Sequence, residues 1–93
     1  MNRFLLIPFE FNQQNFYSLV MCKDKGEMGI NYRVTIMNGD LEKILLGNNV
    51  IKEVNGFLQV EATQQNGLQD CLKLEITKSL AKILKLPINK PIT

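Results

Sequence analysis

The sequence NGLQDCLKLEITKSLAKILKLP, from Asn66 to Pro87, is the longest stretch of the chain with the periodicity of an amphipathic helix. At about 100° per residue, its large apolar side chains fall on one stripe and most of its lysines on the opposite side. A helix with one apolar stripe is only marginally stable alone, so the pattern predicts that it lies on a sheet. The stripe comprises Leu68, Leu72, Ile76, Leu80 and Ile83.

The residues at the two ends of this stretch support a helix. Asn66 can cap its start, and Gln69 three positions later completes the pattern of a capping box. Asp70 places negative charge in the first turn, where the helix dipole favours it. Pro87 lacks the N–H that a further turn needs, so the helix is predicted to end before it.

A β-strand is the competing interpretation for part of this stretch. Between Asp70 and Thr77, Leu72, Leu74 and Ile76 alternate with polar residues, which is also the pattern of a half-buried strand. In that case the helix would begin near Ser79 and would be too short to cover a sheet. The capping residues and the lysines near the C-terminal end favour the long helix.

Length and composition indicate one globular domain. The chain has 93 residues, of which 45% are hydrophobic, and its net charge is only +2. Residues 1–86 are expected to form a single α+β domain, and residues 87–93 a loose C-terminal tail. The N-terminal apolar run is broken by Pro8 and has no cleavage site, and no run is long enough to cross a bilayer. We therefore expect a cytoplasmic protein that does not enter the membrane.

The cysteines, acids and missing histidine do not indicate an enzyme or a metal centre. Cys22 and Cys71 are far apart in sequence and are expected to be unpaired and buried. The chain contains no histidine, which is the commonest general base and transition-metal ligand. We expect a non-enzymatic protein without metal or cofactor. The acids available for acid–base or metal chemistry, none of them in a recognisable motif, are Glu10, Asp40, Glu42, Glu53 and Glu61.

Three predicted strands precede the first interruption of the β pattern. Arg3–Phe11 and Phe16–Lys23 are apolar on both faces, whereas Ile30–Met37 alternates between apolar and polar residues. Pro8 cannot donate a hydrogen bond to a neighbouring strand, so the first strand is expected to lie at an edge of the sheet or to carry a bulge at Pro8. A polar turn over Asn12–Asn15 and another after the second strand predict an antiparallel meander.

A short helix is predicted after the third strand. Leu41, Ile44 and Leu45 have helical spacing, Asp40 can cap the start, and Gly47 can end the helix. A strand beginning at the Leu45 end of this segment is the alternative.

Asn55-Gly56 is the strongest hairpin signal in the chain, and it separates the predicted strands Val50–Val54 and Phe57–Ala62. A two-residue turn at this position pairs Val54 with Phe57. The predicted fold class is therefore α+β. We expect an antiparallel sheet of about five strands, a meander followed by a hairpin, covered on one face by the long C-terminal helix.

The predicted strands carry more apolar surface than one helix can cover. The first two strands are apolar on both faces, so one face needs cover from a second copy, from a partner protein or from the N-terminal strand folding inward. We expect a small protein-association module that forms a homodimer through its sheet, with another protein as the alternative partner. The expected interface residues are Phe4, Leu6, Phe9, Tyr17, Val54 and Phe57.

Two other functions are weighed against association. Lys78, Lys82 and Lys85 form a basic stripe that suits nucleic-acid phosphates, but no arginine or aromatic residue accompanies it, so nucleic acid is the weaker expectation. A small-molecule site between the sheet and the helix is the other alternative. The residues that it would use are Tyr32, Arg33 and Glu53.

Overall fold

The computed structural model describes residues 3–24, 29–45, 47–60 and 67–89. Within these ranges the chain forms six strands and two helices. In chain order they are β1 (Arg3–Phe11), β2 (Gln14–Asp24), β3 (Ile30–Ile36), α1 (Gly39–Ile44), β4 (Val50–Val54), β5 (Phe57–Gln59), α2 (Gly67–Leu84) and β6 (Ile88–Asn89).

The strands form one sheet in which the spatial order follows the sequence, β1-β2-β3-β4-β5-β6. Neighbouring strands are antiparallel from β1 to β5, and β6 pairs with β5 in parallel. Helix α2 packs on one face of the sheet, which we call the inner face; the opposite face is the outer face. The predicted fold class, an α+β fold with an antiparallel sheet covered on one face by a C-terminal helix, is confirmed.

The hydrophobic core lies between α2 and the inner face. Leu72, Ile76 and Leu80 are each at most 1% exposed and belong to one cluster with strand residues such as Ile7 and Val20. Burying each of these aliphatic side chains contributes about 1.5–3 kcal/mol. Residues 70–77 are helical throughout, so the competing strand interpretation is wrong.

The buried stripe of α2 differs from the predicted stripe at both ends. Leu68 is 49% exposed and Ile83 is 45% exposed, although both were placed on the core side by their spacing. Thr77 is buried instead, and this is tolerated because its Oγ1 donates to the Lys73 carbonyl, 2.7 Å away, within the same helix. Besides Leu72, Ile76 and Leu80, the buried residues of α2 are Gln69, Thr77 and Ala81.

Gln69 ties the first turn of α2 to the end of α1. Its Nε2 donates to the main-chain carbonyls of Ile44 (3.2 Å) and Leu45 (2.9 Å), and its Oε1 accepts from Asn48 Nδ2 (3.4 Å). Carbonyls at the end of a helix have no partner within that helix, so Gln69 satisfies two of them for α1. The capping box predicted for Gln69 involves Asn66, which lies outside the described residues.

Helix α1 covers part of the β3 edge that β4 does not reach. Its N-cap is Asn38 rather than the predicted Asp40: Asn38 Oδ1 accepts from the Leu41 N–H at 3.1 Å. The carboxylate of Glu42 accepts from the Ile36 N–H at 3.1 Å, so a side chain replaces the missing strand partner at the end of β3.

We expect Asn38→Ala to lower the free energy of unfolding by about 1 kcal/mol, because the Leu41 N–H loses its acceptor. Urea denaturation followed by circular dichroism measures this change. Asn38→Asp is the matched control, since it keeps an accepting oxygen and should stay close to the wild-type value. Equal losses in both variants would show that the cap does not contribute through its oxygen.

The hairpin between β4 and β5 has the predicted turn. Asn55 and Gly56 have φ values of 54° and 82°, which are typical of a two-residue turn, and Val54 pairs with Phe57. Strand β5 ends at Gln59, earlier than predicted. The remainder of the predicted strand from residue 61 onward lies outside the described residues.

The turn between β1 and β2 is tighter than the sequence pattern predicts. It consists of Asn12 and Gln13, with φ values of 51° and 64°, so β2 begins at Gln14 instead of Phe16. No glycine marks this turn, although asparagine is among the residues that tolerate positive φ best. The longer β2 pairs with β1 along its whole length, from Phe11–Gln14 onward.

The C-terminal segment that was predicted to be a loose tail contains a strand. The Pro87 carbonyl accepts from the Leu58 N–H at 3.0 Å, and Ile88 and Asn89 of β6 then pair with β5. Residues 87–89 are therefore part of the sheet, and residues 90–93 lie outside the described residues.

Candidate interaction surface

Large apolar side chains are exposed on the outer face of β1 and β2. Successive side chains of a strand point to opposite faces, so the residues between the core positions point away from α2. Phe4 and Leu6 of β1 are 60% and 57% exposed, and Tyr17 and Leu19 of β2 are 53% and 38% exposed. Both strands therefore have an apolar inner face in the core and an apolar outer face in contact with solvent.

The β1–β2 register brings these side chains into three adjoining cross-strand pairs. Directly opposite residues in an antiparallel ladder have Cβ atoms about 4.5–5.5 Å apart, so the pairs form one continuous apolar surface. We call the six residues the hairpin patch. The pairs are Phe4–Met21, Leu6–Leu19 and Pro8–Tyr17.

Polar side chains on β3 and β4 bound the hairpin patch. Thr35 and Arg33 of β3 pair with Leu19 and Met21, and both are exposed. Beyond them, Lys52 of β4 is exposed on the same face. Beside Leu19 and Met21 the apolar surface therefore gives way to polar side chains on β3, of which Arg33 is basic.

The free edge of β1 is poorly suited to pairing with another strand. The Met37 N–H donates to the Tyr17 carbonyl at 2.9 Å, so the main-chain groups of Tyr17 point toward β3. Its partner Pro8 must then direct its nitrogen to the free edge of the sheet, where it has no hydrogen to donate. Pro8 thus lies at an edge, as predicted, and interrupts the row of donors that an added strand would need.

The structure places three of the six predicted interface residues in the hairpin patch: Phe4, Leu6 and Tyr17. Phe9 is corrected. It is only 4% exposed and belongs to the core, because it has the same strand parity as the buried Ile7. Its aromatic ring lies 5.9 Å from that of Phe16, centroid to centroid.

Val54 and Phe57 form a second, separate apolar pair on the outer face. Phe57 is 44% exposed and Val54 is half-buried. They lie on β4 and β5, and β3, with Arg33 and Thr35 on its outer face, lies between β4 and the hairpin patch. The structure therefore does not join this pair to the other predicted interface residues.

Three members of the hairpin patch were not predicted as interface residues: Pro8, Leu19 and Met21. Strand parity was the available signal, since Leu19 and Met21 follow Tyr17 at intervals of two residues. Met37, which is 65% exposed and follows the last residue of β3, adjoins the patch beside Tyr17. Its position depends on the β2–β3 register, which the sequence does not specify directly.

The three lysines of the nucleic-acid alternative are exposed on α2 and just after it. Lys78 Nζ lies 3.0 Å from the Glu75 carboxylate, so part of the positive charge is paired locally. Lys82 and Lys85 are exposed as well. The sequence of α2 contains no aromatic side chain on which a base could stack.

The structure separates the three residues of the small-molecule alternative. The Tyr32 hydroxyl donates to Glu53 Oε1 at 2.6 Å on the inner face, whereas Arg33 is exposed on the outer face. Burial raises the pKa of the Tyr32 phenol well above its usual value, and the hydrogen bond to Glu53 and the charge of that carboxylate raise it further. Tyr32 therefore stays protonated, and the pair holds β3 against β4.

The described acids and cysteines form no metal centre: no group of three or more potential metal-ligating side chains occurs among the described residues. Glu42 and Glu53 are engaged in the hydrogen bonds given above, and Glu61 lies outside the described residues. Cys71 is exposed on α2, so the prediction that it is buried is wrong. Cys22 is half-buried.

A groove of about 370 Å³ lies between the β1–β2 turn and α2. Its walls include Glu10, Asn12 and Gln13 on the sheet side and Cys71 and Glu75 on the helix side. Phe11 also lines the groove, whose walls are polar and apolar in nearly equal measure, so it is not the predominantly apolar pocket that usually binds a small molecule. Exposed apolar side chains instead adjoin one another in the hairpin patch.

Comparisons with models of protein families, with curated proteins and with solved structures find no match to this chain. Among the described residues, neither helix combines the length and the apolar character needed to span a membrane. The surface described above is thus the basis for any functional proposal.

Proposed function

We propose that this protein is a non-enzymatic association module that forms a homodimer through the outer face of its sheet. The observation that carries the proposal is the hairpin patch, three adjoining pairs of apolar side chains that α2 does not cover. Contiguous exposed apolar surface of this kind is typical of protein interfaces. Face-to-face packing of two sheets is a common way to bury such a surface.

Pro8 supports association through the face rather than through the edge. A second copy that added its strand to β1 would meet no donor at the centre of that strand. Stacking the outer faces needs no main-chain donors and covers Phe4, Leu6 and Tyr17 directly. Both the proline at the edge of β1 and the apolar residues on its outer face therefore favour stacking of the two outer faces.

The magnitudes predict a dimer of modest affinity. Each of the two copies contributes six patch residues that are already partly covered. Burying their remaining exposed surface supplies on the order of 10 kcal/mol in total. Association costs about 4–15 kcal/mol in lost translational and rotational freedom. At the lower end of this cost the net gain is about 6 kcal/mol, which corresponds to a dissociation constant of tens of micromolar.

We expect Leu6→Lys to weaken the dimer at least tenfold, because it places a charge at the centre of the hairpin patch. Phe57→Lys is the matched control: it adds the same charge to the outer face at a residue of similar exposure, outside the patch. Sedimentation equilibrium gives the dissociation constant of each variant, and circular dichroism checks that each is folded. If Phe57→Lys weakens the dimer as much as Leu6→Lys does, the interface is not the hairpin patch.

A further inference from the structure

Two charged residues whose side chains the structure describes lie at diagonally opposite corners of the hairpin patch. Glu10 follows the Pro8–Tyr17 pair on β1, at one end, and Arg33 lies next to Met21 on β3, at the other end. With about 3.3 Å per residue along a strand and about 4.8 Å between strands, the two corners are roughly 20 Å apart along the strands and about 10 Å apart across them. The midpoint between the corners falls on β2, between Leu19 and Tyr17.

The two corners carry opposite charge. By strand parity Glu10 lies on the outer face of β1, at the turn end of the strand where it also borders the groove, and no other described strand carboxylate has outer-face parity. Among the side chains that the structure describes, Arg33 is the base on the outer face closest to the patch, since Lys52 lies one strand farther away. Neither Glu10 nor Arg33 forms an ion pair with another described residue, and both are exposed.

We infer that Glu10 of one copy pairs with Arg33 of a second copy across a two-fold axis that passes over Leu19 and Tyr17. This inference rests on the proposed homodimer and specifies its orientation. In an isologous interface, contact of residue i with residue j is repeated as contact of j with i. A two-fold axis between the two sheets, perpendicular to the line joining the corners, therefore places each carboxylate on the guanidinium of the other copy.

The pairing explains how the dimer selects one orientation. The apolar pairs of the patch are similar to one another, so hydrophobic contact alone discriminates weakly between ways of stacking two sheets. An acid at one corner and a base at the other penalise orientations that bring like charges together. The planar guanidinium of arginine also binds a carboxylate through two parallel hydrogen bonds, which adds directional preference.

The test is a charge-reversal cycle measured by sedimentation equilibrium at low salt, with wild type, Glu10→Arg, Arg33→Glu and the double variant. Each single reversal creates two repulsive contacts per dimer, so we expect each to raise the dissociation constant at least tenfold. The double variant restores both pairs with the charges exchanged, and its constant should return to within about threefold of wild type. Glu10→Arg combined with Lys52→Glu is the matched control and should show no recovery.

The outcomes separate this inference from the proposed function. A dimeric wild type whose double variant is as weak as the single variants overturns the Glu10–Arg33 pairing and leaves the homodimer in place. Recovery by the Lys52 combination as well shows that net charge, not the pairing, is responsible, and it also overturns the inference. A wild type that is monomeric at every concentration overturns both.

Discussion

Replacing Ile76 by alanine is expected to lower the free energy of unfolding by about 2–5 kcal/mol. Ile76 is 1% exposed and lies on the buried stripe of α2, in the cluster formed with the inner face of the sheet. The substitution removes apolar contacts and leaves a cavity that the surrounding side chains fill only partly. A domain of this length is stable by roughly 5–14 kcal/mol, so the variant loses a large part of its stability.

Ile83→Ala is the matched control for this measurement, because it makes the same chemical change in the same helix at a residue that is 45% exposed. The gain in helix propensity from alanine is common to both variants and cancels in the comparison. We expect Ile83→Ala to change the free energy of unfolding by less than about 1 kcal/mol. Urea denaturation at one fixed protein concentration is required, since the proposed dimerisation would make the apparent stability concentration-dependent. Similar losses at the two positions would contradict the packing of α2 described here.

Gly29→Ala is expected to destabilise the protein by about 3 kcal/mol or more. Gly29 precedes β3 and has a φ value of +113°, a conformation that residues with a side chain rarely adopt. A Cβ atom at this position would also meet the main-chain carbonyl of Glu53, so the end of β4 would have to move. Both the backbone strain and the overlap contribute, each at roughly 1–3 kcal/mol.

Gly39→Ala provides the comparison, because the same substitution there meets no atom within 4 Å and the residue does not have a positive φ. We expect it to be neutral or to stabilise the protein by about 0.4–1 kcal/mol, through the reduced freedom of the unfolded chain. Thermal unfolding of the two variants measures both changes in stability. A Gly29→Ala variant as stable as wild type would show that β3 and β4 do not approach as closely at this point.

The parts of the fold that were predictable depend on local signals. The periodicity of the C-terminal stretch predicted α2, Asn55-Gly56 predicted the β4–β5 turn, and Pro8 predicted that β1 is an edge strand. Each of these signals is contained in a few neighbouring residues, so no knowledge of tertiary contacts was needed.

The errors arise where a tertiary contact decides the outcome. The buried side of α2 begins with Gln69 rather than Leu68 because the amide of Gln69 reaches the carbonyls at the end of α1. β6 forms because Leu58 has a main-chain N–H that the Pro87 carbonyl satisfies. Neither interaction has a sequence signature, since both join segments that are distant along the chain.

The candidate surface was predictable in its location but not in its extent. The two-sided apolar character of the first two strands indicated an uncovered face, and Phe4, Leu6 and Tyr17 lie on it. Phe9 was assigned to it against the parity of its own strand. Val54 and Phe57 are separated from it by β3, whose outer-face side chains are polar, a separation that depends on the strand order.

The central claim is that the hairpin patch is covered by a second copy of this chain. Molar mass measured by light scattering, over protein concentrations from about 1 to 200 μM, tests it most directly. We expect a mass that rises with concentration from near the 10.6 kDa of one chain toward twice that value. A mass that stays at 10.6 kDa throughout this range would contradict it.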